Sequence, residues 1–267
     1  MRFLTALCLL TLGLSNAAGQ ELALDERLPP DAVKNRFDLG DQITAVTRGR
    51  VQLEGGYTFV HDRITGTNVD QHILPDMLLR IGLTERLELR LGWPGYVSTH
   101  YDDALGAYST SETLNPSIGF MLDLFPQDGW RPQTAIQAAV PISLDGNPLT
   151  MASTQPLTEV LYCWYPRDRW TVGGSTGVGL IELAGDHFAQ LEQTLNVDYL
   201  LTDRIGTFME WSVVIDQGSA EDGSQHLLSL GTSFLWTEAL QVSWRAGLGL
   251  NERAPDFLTG IRFALRF

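Results

Sequence analysis

Twelve charged residues sit in stretches where polar and apolar side chains alternate: Glu54, Asp76, Arg80, Glu88, Arg90, Asp123, Glu192, Asp198, Glu210, Arg245, Arg262 and Arg266. Mixed charges on one face of adjacent strands can do two kinds of chemistry. They neutralise one another between strands, or they line an aqueous passage, where a ring of one sign selects ions and mixed signs orient polar solutes. Both signs are present here, so the expected selectivity is modest.

A second set of residues points toward catalysis and stops short of it. His61, His72, His100, His187 and His226 stand in or beside polar connections, several with serines nearby. A Ser and His at the rim of a membrane barrel could make a lipid hydrolase. Yet no nucleophile elbow, zinc-ligand spacing or phosphate-binding glycine loop accompanies them, and the expectation is a protein that is not an enzyme. Asp145-Gly146-Asn147 lacks the further spaced acids of a calcium loop and reads as turn chemistry. No metal or cofactor is expected. Cys163, next to Trp164, reads as a small packed residue on a strand.

The elements that must position these side chains show a period of two from Gly49 onward. About twelve such segments follow one another, for example Leu87, Leu89, Leu91 and Trp93, or Ile205, Met209, Trp211, Val213 and Ile215. Tight joins at 83–86 (LTER), 126–132, 166–169, 201–204 (LTDR) and 236–239 (WTEA) alternate with longer ones at 61–70, 94–111, 144–155, 182–188, 216–225 and 251–256. Threonine and an acid at a hinge can accept hydrogen bonds from nearby backbone amides, so LTER and LTDR read as one hairpin design used twice. Short turns on one side and long loops on the other are the pattern of bacterial outer-membrane barrels, with both termini on the periplasmic side.

Which face looks outward is decided by composition. Only 19% of residues are charged and Lys34 is the single lysine, below the roughly 25% charged residues of soluble domains. A water-facing outer wall would carry more charge, whereas a crowded lumen tolerates small and mixed-polar residues. Aromatic residues such as Tyr57, Trp93, Tyr162, Trp170, Trp211, Trp236 and Trp244 lie on the apolar face, as amphipathic rings at a lipid headgroup level do. The fold expected is therefore all-β: a transmembrane antiparallel up-and-down β-barrel of about 12 strands, with lipid outside and polar residues turned inward.

The chain divides into three parts on this reading: 1–19, a cleaved signal peptide; 20–48, a periplasmic, largely irregular segment; and 49–267, the barrel. Arg2, the apolar run Phe3 to Leu14 and the small-residue exit Ser15 to Gly19 carry the first assignment, and Cys8 leaves with it. Phe263, Leu265 and the terminal Phe267 form an alternating aromatic end of the kind that serves as an assembly signal, making the barrel-assembly machinery a partner alongside outer-membrane lipids. With 18 Lys+Arg against 32 Asp+Glu and a net charge of −14, nucleic acid is not an expected partner.

The stretches GRVQLEGGYTF at 49–59, LPDMLLRIGLTERLELRLGWPGY at 74–96, NPSIGF at 115–120 and the final strand resemble the outer-membrane transporter family named after the meta-pathway of phenol degradation. The resemblance implies passage of small solutes, aromatic or hydrophobic compounds among them. A closed structural or adhesive barrel is the alternative, and a barrel-type lipid hydrolase a more distant one.

Overall fold

The structure is a computed structural model that describes residues 43–104, 106–142, 157–183, 186–217 and 223–267. Within them fourteen strands form one antiparallel sheet: β1 (Val51–Ile64), β2 (Thr67–Gly82), β3 (Leu87–Trp93), β4 (Tyr96–Asp103), β5 (Gly106–Thr113), β6 (Ser117–Phe125), β7 (Gln133–Pro141), β8 (Leu157–Arg167), β9 (Trp170–Leu183), β10 (Asp186–Leu200), β11 (Ile205–Gln217), β12 (Gly223–Leu235), β13 (Leu240–Gly249) and β14 (Phe257–Arg266). β1 pairs with both β14 and β2, so the sheet closes on itself. Closure pairs the ring's strands on both sides, which matters in lipid, where an open edge finds no hydrogen-bond partner; among the described residues β5 is paired on one side only.

Fourteen strands make a twelve-stranded barrel because two of them are broken. β2 pairs with β4 through Asn68–Leu74 and with β3 through Met77–Gly82, so β3 and β4 act as one strand interrupted at Pro94-Gly95. β5 pairs with β4 and β6 with β3, and together they form a second strand, interrupted at Leu114-Asn115-Pro116. The breaks lie side by side, next to Pro75 on β2. Gly95 is required there: it has φ +81°, and a Cβ would stand 2.4 Å from the Pro75 carbonyl oxygen.

The turns bear out the hinge reading in atomic detail. Thr84 Oγ1 accepts hydrogen bonds from the Arg86 and Leu87 amides at 3.2 and 3.0 Å. Thr202 does the same for Arg204 and Ile205, and Thr237 for Ala239 and Leu240. Three hairpins thus share one threonine-centred turn, and among the described residues no backbone amide donates to the carboxylates of the adjoining Glu85, Asp203 and Glu238.

Several expected loops are strand instead. Residues 61–70 continue β1 into β2 through a two-residue turn at Thr65-Gly66, whose φ values of 52° and 85° are those of a tight hairpin. Residues 94–111 hold most of the β4–β5 hairpin, and residues 182–183, 186–188, 216–217 and 223–225 are strand ends. In β4 Val97, Thr99 and Tyr101 are buried and alternate with the more exposed Tyr96, Ser98, His100 and Asp102. Extended ladders of this kind satisfy their own backbone without an apolar face on both sides. The 144–155 loop, with Asp145, and most of 20–48 lie outside the described residues, as does the 1–19 segment.

Side-chain direction follows the expected inversion. Leu230, Trp244, Leu248 and Ile261 are more than half exposed, while Ser229, Ser243, Arg245 and Gln241 beside them are buried. Leu89, Trp211 and Phe263 lie on the outer parity; Arg90 and Glu210 are buried and Arg262 is half-buried on the inner one.

Candidate functional site: the barrel lumen

The inner wall carries a nearly continuous belt of polar contacts. Arg266 on β14 donates to Gln52 Oε1 on β1 at 2.9 Å, and Gln52 Nε2 donates to Glu54 at 2.8 Å. Arg80 on β2 lies 3.4 Å from Glu54 and makes a two-pronged pair with Glu88 on β3, Nε to Oε1 at 2.8 Å and Nη2 to Oε2 at 2.9 Å. Arg90 stands 3.8 Å from Glu88 and donates to Gln137 on β7, which donates in turn to Glu159 on β8. Ser175 on β9 closes the run, 3.4 Å from Glu159 and 3.0 Å from Thr194 on β10.

Alternation explains why these residues meet. In antiparallel pairs the residues opposite one another share a face, and the register sets Gln52 against Arg266 and Arg80, and Arg80 against Arg90. Two guanidiniums side by side would repel. Glu88 lies between them and relieves this, whereas Asp76 pairs with Arg262 across the β14–β1–β2 closure. Arg80 and Glu88 are 0% exposed, so their ion pair is tightly enclosed by the wall.

The remaining candidates are distributed around the wall. Glu192, Asp198, Glu210 and Arg245 are buried, and Asp123 is half-buried. Asn196 donates to Asp198 at 2.7 Å, and Gln190 to Asp216 at 2.9 Å.

Sequence reading missed a guest in this lumen: the chain itself. Ile43, Ala45 and Val46 are buried against the inner wall, where Ile43 packs with Met121, Ala135, Leu161 and Cys163. The Val46 amide donates to Glu88 Oε2 at 2.8 Å and the Ala45 amide to the Asp123 carboxylate at 3.1 Å. Arg80 Nη2 donates to the Thr44 carbonyl at 3.1 Å, and Gln133 Nε2 to Thr44 Oγ1 at 2.8 Å. The segment also crosses Gly82 so closely that a Cβ there would stand 2.2 Å from Thr47 O. Its apolar residues were the available signal, but nothing local named their partners.

A second layer is apolar. Val60, Ile73, Val97 and Leu258 form a buried cluster on the inner parity, with Leu114 and Leu227 packed against it. Gln71 lies beside Val60 in the β1–β2 register.

The histidines take ordinary partners. His61 pairs with Asp70 at 2.7 Å and His72 with Tyr57 Oη at 2.7 Å. His100 lies 3.0 Å from Ser109 and His226 3.0 Å from Ser224. Among the described residues no carboxylate hydrogen-bonds the ring of either Ser-paired histidine, so neither pair has the orienting third group of nucleophilic catalysis. The side chain of His187 lies outside the described residues.

At the chain terminus, the Phe263 ring covers Gly55 on the outer wall, Leu265 sits opposite Leu53, and the Phe267 amide donates to Val51 O at 2.9 Å. The terminal aromatic residues therefore take part in closing the barrel.

The comparisons with known proteins follow the fold. The COG4313 outer membrane channel from Pseudomonas putida F1 matches with a TM-score of 0.61 and 14% identity, covering 87% of this chain and 100% of that one. Weaker likenesses include the NanC porin, with a TM-score of 0.48, 11% identity and coverage of 80% and 98%. The CymD monoaromatic hydrocarbon channel has a TM-score of 0.42, 10% identity and coverage of 83% and 89%. No curated protein matches. The first shows that the chain has the fold of an outer-membrane channel. Residues 34–267 match the family model described as MetA-pathway of phenol degradation, and the protein belongs to that family.

Proposed function

We propose that the protein is a narrow outer-membrane channel for passive passage of small solutes, with aromatic and other hydrophobic compounds as the class it suits. The observation that carries this reading is the inverted wall: a closed twelve-strand barrel with charged and amide side chains inside and leucine, isoleucine and aromatic side chains outside. Only lipid makes such an exterior favourable, and a polar interior serves water-borne solutes. The twelve inward candidates are its lumen residues, and the apolar cluster around Val97 gives hydrophobic solutes a surface. Twelve strands enclose less room than the 16 to 18 of general porins, and the ion pairs and the residue 43–46 segment narrow it further. The lipids of the bacterial outer membrane surround it. Its leader directs export, and Phe263, Leu265 and Phe267 are presented to the assembly machinery.

The near-complete burial of Arg80 and Glu88 favours one competing reading, a sealed structural barrel. Planar-bilayer recording separates the two. Discrete conductance steps on insertion of the folded protein support the channel, and an electrically silent, folded barrel overturns it.

A further inference from the structure

The connection between β13 and β14, residues 250–256, lies at the outer mouth, the end of the barrel opposite the threonine turns, and it folds back over the inner side of the strands beside it. Gly249 is the last inner-wall position of β13, on the alternation of Gln241, Ser243, Arg245 and Gly247. A Cβ on Gly249 would lie 2.4 Å from the Pro255 carbonyl oxygen and 3.1 Å from the Ala254 Cβ. Gly223 begins β12 on the inner parity, and a Cβ there would lie 2.5 Å from Cζ of Arg253. Ala254 is 3% exposed and Pro255 is buried. Side chains at the two glycines would fill the space that the connection occupies, so the inward course depends on their absence.

Contacts to the surrounding strands hold it there. Asn251 bridges to β12: its Nδ2 donates to Ser224 O at 2.7 Å, and its Oδ1 accepts from the His226 amide at 3.1 Å. The Leu250 amide donates to His226 O at 2.8 Å, and the Ala254 amide to Asn251 O at 3.1 Å. Arg253, lying over Gly223, stands on the row of Asp216, which faces Gly223 from β11 and is buried. Opposite charges on one row of a sheet attract. At the far end the Asp256 amide faces the carboxylate of Asp62, on the inner parity of β1.

We propose that residues 250–256 form a strap seated inside the outer mouth, and that this strap sets the width of the solute entrance. The inference rests on the channel reading and assigns its entrance. A surface loop held only at its two ends is free to move. The seat on Gly249 and Gly223 instead keeps Pro255, Ala254 and the Arg253 guanidinium within the circumference of the wall, where they take room from the passage.

Trypsin reads the seat without any current. The bond after Arg253 leads into the buried Ala254, so the protease reaches it when the strap lifts. Gly249→Val sets a branched side chain against the Pro255 carbonyl. In the barrel folded in detergent it is expected to speed cleavage after Arg253 by about ten-fold or more. In planar bilayers its unit conductance is expected to rise by about two-fold or more. Heat-modifiable migration in gels reports folding, and if Gly249→Val does not fold, Gly223→Leu, which displaces the Arg253 side chain, takes its place. Equal cleavage of the wild type and a folded variant overturns the seat. Faster cleavage with unchanged conductance overturns the strap as the limit of the entrance. A wild type and a variant that both carry no current while the cleavage contrast holds would remove the channel reading and leave the seated strap.

Discussion

Glu88 meets Arg80 twice, lies near Arg90 and accepts a hydrogen bond from the Val46 amide. Removing its charge takes the two-pronged carboxylate from the fully buried Arg80 guanidinium and leaves the longer 3.4 Å contact with Glu54. Glu88→Gln is expected to destabilise the folded barrel by roughly 3 kcal/mol, the range for breaking a buried pair from one side, measured as a lowered urea midpoint in liposomes. Replacing both partners, Arg80→Met with Glu88→Leu, is expected to cost less than Glu88→Gln alone, because the buried guanidinium leaves with its carboxylate, while Glu54 keeps Gln52 and Arg90 keeps Gln137. The Thr84, Thr202 and Thr237 hydroxyls are smaller, exposed contributions. Thr202→Val is expected to cost about 1 kcal/mol, the net value of a hydrogen bond in water, by the same unfolding measurement.

Hairpins were the most legible part of the molecule and long-range closure the least. LTER and LTDR announced their turns because threonine at the hinge satisfies amides two and three residues away. The Arg80–Arg90 contact followed from folding one hairpin. Asp76 and Arg262 could not be matched that way, since their meeting depends on β14 closing against β1. The β4–β5 hairpin was hidden by its hydroxyls and acids, which obey the period of two without an apolar face. Residues 43–46 were hidden for a similar reason: Glu88, Asp123 and Gln133 lie 42, 78 and 89 positions from the groups they hold. Because that segment occupies the lumen, a chain shortened to begin at Arg48 is expected to conduct more per channel than the longer one. Unchanged unit conductance would mean that the segment does not lie in the ion path.

For the barrel as a whole, mixed signs on the inner wall set an expectation about ions. Arginines and carboxylates alternate around the belt from Arg266 to Glu159, and no ring of a single charge intervenes there. The permeability ratio of potassium to chloride is expected to stay within about a factor of five of unity, read from the reversal potential under a salt gradient. Strong selectivity for either ion would point to control by charges outside this belt. The same inversion of faces made the barrel recognisable from composition: few charges, a single lysine and alternate apolar residues leave a lipid-facing exterior as the consistent solution.

Everything said of the lumen depends on which alternate side chains meet lipid, and β13 measures this one residue at a time. Cysteines placed singly at positions 241 to 248 and spin-labelled in a lipid bilayer report contact with dissolved oxygen, which concentrates in the hydrocarbon. We expect a period of two, with high oxygen contact at 242, 244, 246 and 248 and low contact at 241, 243, 245 and 247. Maxima at the odd positions, or no alternation at all, would contradict the inverted barrel.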